Sequence, residues 1–338
     1  MKLTIKDIAN LSEVSKSTVS RVINKKKYVS KKNREKILSI INELGYFPDN
    51  IARSLITKKT YTIGLIVPDI TNPFYSETAK IIEDTLRQLG YSMIICNTDN
   101  RSDLQNDYIN ILIQKKIDGI IFGSVRMNDI KVANLSAQEV PSITYHRRLA
   151  NKNTNYVISD DMEGIKIAVK HLVELGHKNI AYISGPTSFS TGIYRLKGFI
   201  EARNIFNLNN SNDLIKKGGY SEEQSWQITK EIINLAPRPT AIIAANDIMA
   251  ISALDCILYH GLSVPKDISL IGYDNINLAS HARIQLTTIS IDKKNMAKKT
   301  ANLLIKEIIN KKNSSKLIQI KLKPKLIIRK TTMQKEYN

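Results

Sequence analysis

A small all-α helix-turn-helix unit, followed by a larger α/β body of two parallel-sheet layers, is the fold class this sequence predicts. Three observations lead to it. Charge is segregated: the 338 residues carry 50 Lys and Arg against 31 Asp and Glu, a formal +19. Residues 1–60 hold 14 basic and five acidic groups, 61–292 hold 22 and 24, and 293–338 hold 14 and two. Apolar residues in the first sixty positions recur at helical spacing in three short runs. From Tyr61 onward, short apolar strands alternate with amphipathic helices, the pattern of parallel sheets covered on both faces. A near-neutral body with two basic ends makes an anionic partner the first to test.

The elements follow in order. Thr4 and Asp7 form a capping arrangement ahead of Ile5, Ile8 and Ala9. The pattern breaks over residues 11–14 and restarts at Ser15, a second N-cap, with Val19, Val22 and Ile23 on one face. A third helix begins near Ser30, turns Ile37, Ile40, Ile41 and Leu44 inward and stops at Gly45. Three short helices with a tight turn between the first two make a helix-turn-helix plan. The outer face of the second helix offers Lys16, Ser17, Ser20 and Arg21. At its N-terminal end these suit base edges in a major groove, where Arg21 could bond a guanine through two acceptors. A solvated helix face is the competing reading. Lys25, Lys26, Lys27, Lys31 and Lys32 suit phosphate contacts or plain surface.

Pro48 ends what precedes it, and residues 49–55 make a helix too short to stand alone in water. It should form when two copies pack together or on DNA. Leu55, apolar on an exposed basic linker, fits either a wedge into a minor-groove step or docking on the next domain.

In the body, strands are expected at 62–67, 92–96, 119–122, 142–145, 157–159, 179–183, 240–244, 269–272 and 326–328. Helices are expected at 75–89, 105–115, 162–175, 222–235, 248–259 and 293–312, the last with Met296, Ala297, Leu303 and Leu304 inward and its lysines solvated. Ligands of such sheets bind beyond the carboxyl ends of strands, which directs attention to 69–75, 124, 146–147, 184–195, 246–247 and 273–274. Trp226 is expected to pack in the core, and His171 and His177 to be structural. Cys96 and Cys256 form neither a disulfide framework nor a metal cluster. The first residues lack the apolar core of a secretory signal, and no apolar run approaches the roughly 20 residues of a membrane span. No P-loop, G-x-G-x-x-G, G-x-S-x-G or metal-binding His/Cys constellation occurs, so no enzyme is expected.

The string TIKDIANLSEVSKSTVSRVINKKKYVSKKNREKILSIINELGYFPDNIARSL, from Thr4 to Leu55, resembles the DNA-binding headpiece and hinge of the LacI/GalR family of bacterial transcription regulators. The resemblance implies that Lys16, Ser17 and Arg21 read bases, with Ser20 beside them. It places Asn50, Ala52 and Leu55 in a DNA-contacting hinge, Leu55 as the intercalating leucine and Ala52 as the small residue that lets two hinge helices approach. The strings IGLIVPDITNPFY, CNTDN, DGIIFGS, SDDMEG, HLVELGHKNIAYISGP, YRLKGF, AANDIMAISAL and ISLIGYDN are similar to the family's effector-binding core, which has the periplasmic sugar-binding protein fold.

The domains implied are a headpiece at 1–46, a hinge and linker at 47–60, and a two-lobed core at 61–338. Its N-lobe spans about 61–158 plus 291–320, its C-lobe about 159–290 plus 321–332. Phe74 and Tyr75 on one lobe, and Arg195, Tyr220, Asn246 and Asp274 on the other, match the effector positions. His146 stands where many members have an acid, while Arg147 keeps the common base. A protonated His146 would favour a phosphorylated ligand and a neutral one a hydroxyl. What the resemblance implies is a cytoplasmic, homodimeric repressor of a near-palindromic double-stranded operator. It needs no cofactor, metal or membrane, and a small polar effector, sugar-like, controls it. A purine- or phosphoprotein-responsive corepressed regulator and a solute-binding protein are the alternatives.

Overall fold

The structure is a computed structural model that describes residues 3–23, 28–45, 59–135, 140–150, 153–310 and 317–335. The chain divides into two compact units, Met1–Thr60 and Tyr61–Asn338.

In the first unit, helices α1 (Ile5–Ser12), α2 (Lys16–Ile23) and α3 (Lys31–Glu43) each start on a side-chain cap. Thr4 and Asp7 bond reciprocally: the Asp7 carboxylate accepts the Thr4 N–H at 2.8 Å while Thr4 Oγ1 accepts that of Asp7. Ser15 Oγ accepts the Thr18 N–H at 3.2 Å and Ser30 Oγ that of Asn33 at 3.3 Å. Such caps satisfy amides that no helical carbonyl reaches. Glu13, at φ 56, closes α1 in the left-handed region and turns the chain into α2. Ile8, Ala9, Val19, Val22 and Ile37 fill the space between the helices. Leu44 departs from expectation. It caps α3 from outside the last turn and is 40% exposed, because the helix ends one residue before it could turn inward.

The second unit begins with β1 (Thr62–Val67), α4 (Pro73–Gln88), β2 (Ser92–Asn97), α5 (Ser102–Gln114), β3 (Gly119–Phe122), α6 (Ile130–Ala133), β4 (Ser142–Tyr145) and β5 (Asn155–Ser159). It continues through α7 (Asp161–Glu174), β6 (Ile180–Ser184), α8 (Ser190–Ile205), β7 (Ile215–Lys217), α9 (Glu222–Ile233), β8 (Ala241–Ala244), α10 (Asp247–Tyr259), β9 (Ser269–Asp274) and β10 (Thr287–Ser290). It closes with α11 (Lys293–Ile309), β11 (Gln319–Leu322) and β12 (Lys325–Ile327).

Two six-stranded sheets result, ordered β11-β5-β4-β3-β1-β2 and β12-β10-β9-β8-β6-β7. All pairings are parallel except that of β10 with β12. Leu65 aligns with both Ile95 and Ile121 in the first sheet, and Tyr182 with Ile243 in the second. Central strands such as β3, β6 and β8 are buried along their whole length, as helices on both faces require. The chain passes from one sheet to the other three times, after β5, before α11 and after β11. In each sheet strand order reverses beside the first strand of the lobe, β1 or β6, and ligand crevices open at such points.

Five of these helices and strands lie outside the sequence reading: α6, α8, β7, β10 and β11. Helix α8 buries Ser190, Thr191, Gly192, Arg195 and Gly198 beside Phe199 and Ala202, so it carries no apolar stripe to reveal it. Trp226 packs on Tyr259 at 5.5 Å and stays half-buried near the surface instead of entering the core. Lys293 does not face water: it pairs with Glu77 at 2.5 Å and donates to Asn275 O at 2.6 Å.

Candidate ligand cleft and nucleic-acid interface

The carboxyl ends of both sheets converge on a cleft of about 380 Å³, open mouth included. Its lining comprises Pro68, Asp69, Asn72, Phe74, Tyr75, Asn100, His146, Arg147, Arg195, Tyr220, Asn246 and Asp274. The eight residues singled out from sequence are therefore brought together. Local chemistry places each. Asn72 caps α4, its Oδ1 accepting the Phe74 N–H at 3.0 Å, with Pro73 at the first helical position; this holds Phe74 and Tyr75 on the first turn. Asn246 caps α10 in the same way through the Met249 N–H at 2.9 Å. His146, Tyr220 and Asp274 stand on left-handed backbone, at φ 62, 61 and 105. Side chains rarely tolerate that region, and such strain gathers at functional sites.

Arg195 organises the second lobe's wall. Fully buried, it donates from Nε to Asp161 Oδ1 at 2.8 Å, from Nη2 to Asp274 Oδ1 at 3.2 Å and from Nη1 to the Ala245 carbonyl. Its guanidinium lies 3.7 Å from the Tyr273 ring centroid. Burial pushes the Asp274 carboxyl up to about 6, with Arg195 pulling against it. Behind it, burial and Asp274 push Asp247 up to about 8, and Asp247 accepts from Ile276 N–H at 2.8 Å and Thr288 Oγ1 at 2.5 Å. Tyr220 donates to Thr191 Oγ1 at 2.8 Å.

On the first lobe, His146 lies with its ring 4.1 Å from that of Phe74. Its Nδ1 is buried without a partner. Burial, then the charges of Arg195 and Arg147, hold the imidazole well below its ordinary pKa. It is neutral at neutral pH, which favours the hydroxyl-bonding alternative for His146 over the protonated one. The Arg147 guanidinium lies 3.7 Å from the Phe189 ring and donates to Asn100 Oδ1 at 2.9 Å.

Sequence reasoning missed Asn100, Asp161 and Phe189. Asn100 follows the carboxyl end of β2, where a search could have found it. Asp161 lies in the string SDDMEG and Phe189 in the stretch 184–195, but both act through the arginines and no spacing marks that role.

In the first unit, Lys16, Ser17 and Arg21 are exposed and Ser20 half-buried along one face of α2. Ser17 Oγ is bonded to Ser15 Oγ at 2.8 Å. Lys31 and Lys32 stand exposed at the start of α3. Asn50, Ala52, Leu55 and Lys25 to Lys27 lie outside the described residues. Both ring nitrogens of His177 are bonded, to Thr240 Oγ1 and the Met333 carbonyl, and His171 bonds Thr332. Among the described residues there is no cluster suited to a metal, and no helix is long and apolar enough to cross a membrane.

Residues 4–49 match the family model described as bacterial regulatory proteins, lacI family, and residues 169–332 match a periplasmic binding protein-like domain. The HTH-type transcriptional repressor PurR of Histophilus somni is 35% identical over 97% of this chain and 98% of its own. The chain belongs to the LacI/GalR family. LacI/GalR proteins are ligand-responsive, DNA-binding transcription regulators, so this chain is one of them and not an enzyme. Its fold matches that of the lac repressor dimer bound to operator and the anti-inducer ONPF, with a TM-score of 0.85 at 29% identity over 98% of this chain and 100% of that one. The transcriptional regulator CelR in complex with cellobiose matches with 0.74 at 27% identity, over 97% and 99%.

Proposed function

We propose that this LacI/GalR protein is a cytoplasmic homodimeric repressor that binds a near-palindromic operator and is controlled by a sugar-like effector in the interlobe cleft. The observation that carries the reading is the convergence of Arg195, Asn246 and Asp274 from one lobe with Asn100, His146 and Arg147 from the other. Guanidinium, amide and carboxylate groups make directional bonds to clustered hydroxyls. Of the aromatic residues that line the cleft, Phe74 is covered by the His146 ring, and Tyr75 and Tyr220 each lie within 6 Å of the Arg147 guanidinium. That favours a polyol over a flat base. The lac repressor and CelR complexes support a sugar by likeness.

The domains follow the same plan: headpiece 1–46, hinge and linker 47–60, effector core 61–338. Lys16, Ser17, Ser20 and Arg21 read bases from the major groove, while Asn50, Ala52 and Leu55 serve the hinge, Leu55 as a minor-groove wedge. Effector binding changes the relative rotation of the lobes and so the spacing of the two hinges. A purine is the second reading, favoured by the likeness to PurR.

A thermal-shift screen of sugars, sugar derivatives and purines on the purified protein, followed by operator titrations with each hit, tests the reading. A sugar-class hit that alters operator affinity is expected, with Asp274→Ala losing the response while still binding DNA. Stabilisation by purines alone would replace the sugar reading.

A further inference from the structure

Among the described residues the cleft holds one cation that no carboxylate answers. Arg195 is met by two carboxylates, Asp161 and Asp274. Arg147 is 3% exposed, yet its hydrogen bond goes to the neutral amide oxygen of Asn100. Its Nε is buried without an acceptor. Among the described residues no carboxylate forms an ion pair with it. Asp69, the remaining acid of the lining, turns its Oδ1 to the N–H and hydroxyl of Thr71, at 2.9 and 2.6 Å.

Neighbouring groups deepen the imbalance. Arg126 sits 5.2 Å from the Phe189 ring that Arg147 covers, adding positive charge to the same wall. His146, beside it in the chain, offers an unpartnered Nδ1 and no negative charge. Burying a charge without a counter-charge is costly, and proteins keep such groups where a ligand completes them.

We propose that the effector supplies the missing charge: it is a sugar bearing an anionic oxygen group, a phosphate ester or a carboxylate, seated against Arg147. This rests on the sugar reading of the cleft given above. Arg147 is then the residue that separates anionic sugars from neutral ones, while Arg195, Asn246 and Asp274 hold the hydroxyls. The neutral His146 adds a hydrogen-bonding site without repelling the anion, as a carboxylate in its place would.

Calorimetric titration of the full chain with matched ligands tests the assignment: ribose against ribose 5-phosphate, and glucose against glucose 6-phosphate and glucuronate. At least one anionic member is expected to bind tenfold or more tightly than its neutral parent. Arg147→Met loses that advantage and Arg147→Lys keeps part of it. Neutral sugars binding as well as their anionic partners overturns the anionic assignment and leaves the sugar reading standing. Binding of hypoxanthine and of no sugar overturns both, and silence towards every anionic sugar overturns the assignment too. A second measurement needs no ligand. An unanswered buried charge destabilises the free protein, so the Tm of Arg147→Met is expected at or above that of the parent, whereas Arg195→Met falls well below it. A fall in Arg147→Met as large as that in Arg195→Met marks Arg147 as a structural residue and overturns the proposal.

Discussion

Asp247 shows how one buried residue ties stability to pH. Burial and the nearby Asp274 raise its carboxyl to about 8, and Asp274 itself reaches about 6, against 3.8 for a free aspartate. The folded chain thus keeps protons that the unfolded chain releases near pH 4. Stability is greatest below that point on their account and falls as pH rises, through about 6 for Asp274 and about 8 for Asp247. Asparagine can accept from Ile276 N–H and donate to Thr288 Oγ1 without a charge. Asp247→Asn is therefore expected to lose less stability than the parent between pH 6 and pH 8 in urea denaturation; equal losses contradict a protonated Asp247. Arg21 offers a second test on this scale. It is exposed on α2, and Arg21→Ala should relax preference at one base per half-site by about 1–3 kcal/mol. A selected-site logo identical to the parent's removes Arg21 from base reading. Identities such as Arg195, Asn246 and Asp274 were legible because they follow strand ends in recognisable strings. Their electrostatic states were not: the neutrality of His146 depends on burial and on Arg195, a residue 49 positions away in sequence.

At the scale of elements, helices with one apolar face could be read and those covered all round could not. The headpiece helices declare themselves through Thr4, Ser15 and Ser30 and through the stripes of Ile8, Val19, Val22 and Ile37. Helix α8 instead meets α7 through small residues. A Cβ at Gly198 would stand 2.5 Å from the Met162 carbonyl oxygen and 3.0 Å from its Cα, both backbone atoms of α7. A Cβ at Gly164 would stand 2.3 Å from the Tyr273 hydroxyl. Close approach of the two helices is what carries Arg195, on α8, to Asp161 at the start of α7. Alanine favours helices by about 1 kcal/mol over glycine, but overpacking against rigid backbone costs about 1–3 kcal/mol. Gly198→Ala is expected to destabilise the protein and to weaken effector binding with it. A stabilised variant, read by chemical denaturation, shows that the helix contact is looser than described. The edge strands β7 and β11 escaped detection for a related reason: they are short and half-exposed, with Lys216, Lys217 and Lys321 among their residues.

At the scale of the whole molecule, three crossings join two sheets whose open ends face one cleft. The lobes also meet beside it. Glu77 on α4 accepts the Asn277 N–H, Lys293 donates to the Asn275 carbonyl, Met127 N–H donates to the Ser188 carbonyl, and Arg148 N–H donates to Ser190 Oγ. A ligand that bonds both walls favours the arrangement that unites them, and it can shift an equilibrium only by its preference between arrangements. The proposed regulation is that this preference reaches DNA through the hinge. The most direct measurement is operator affinity, by fluorescence anisotropy at fixed salt, as the effector is titrated into the full-length protein. A change of roughly 5- to 150-fold is expected, matched by the same factor in effector affinity when operator is added and lost in Asp274→Ala. An effector that fills the cleft and leaves operator affinity unchanged would contradict the account.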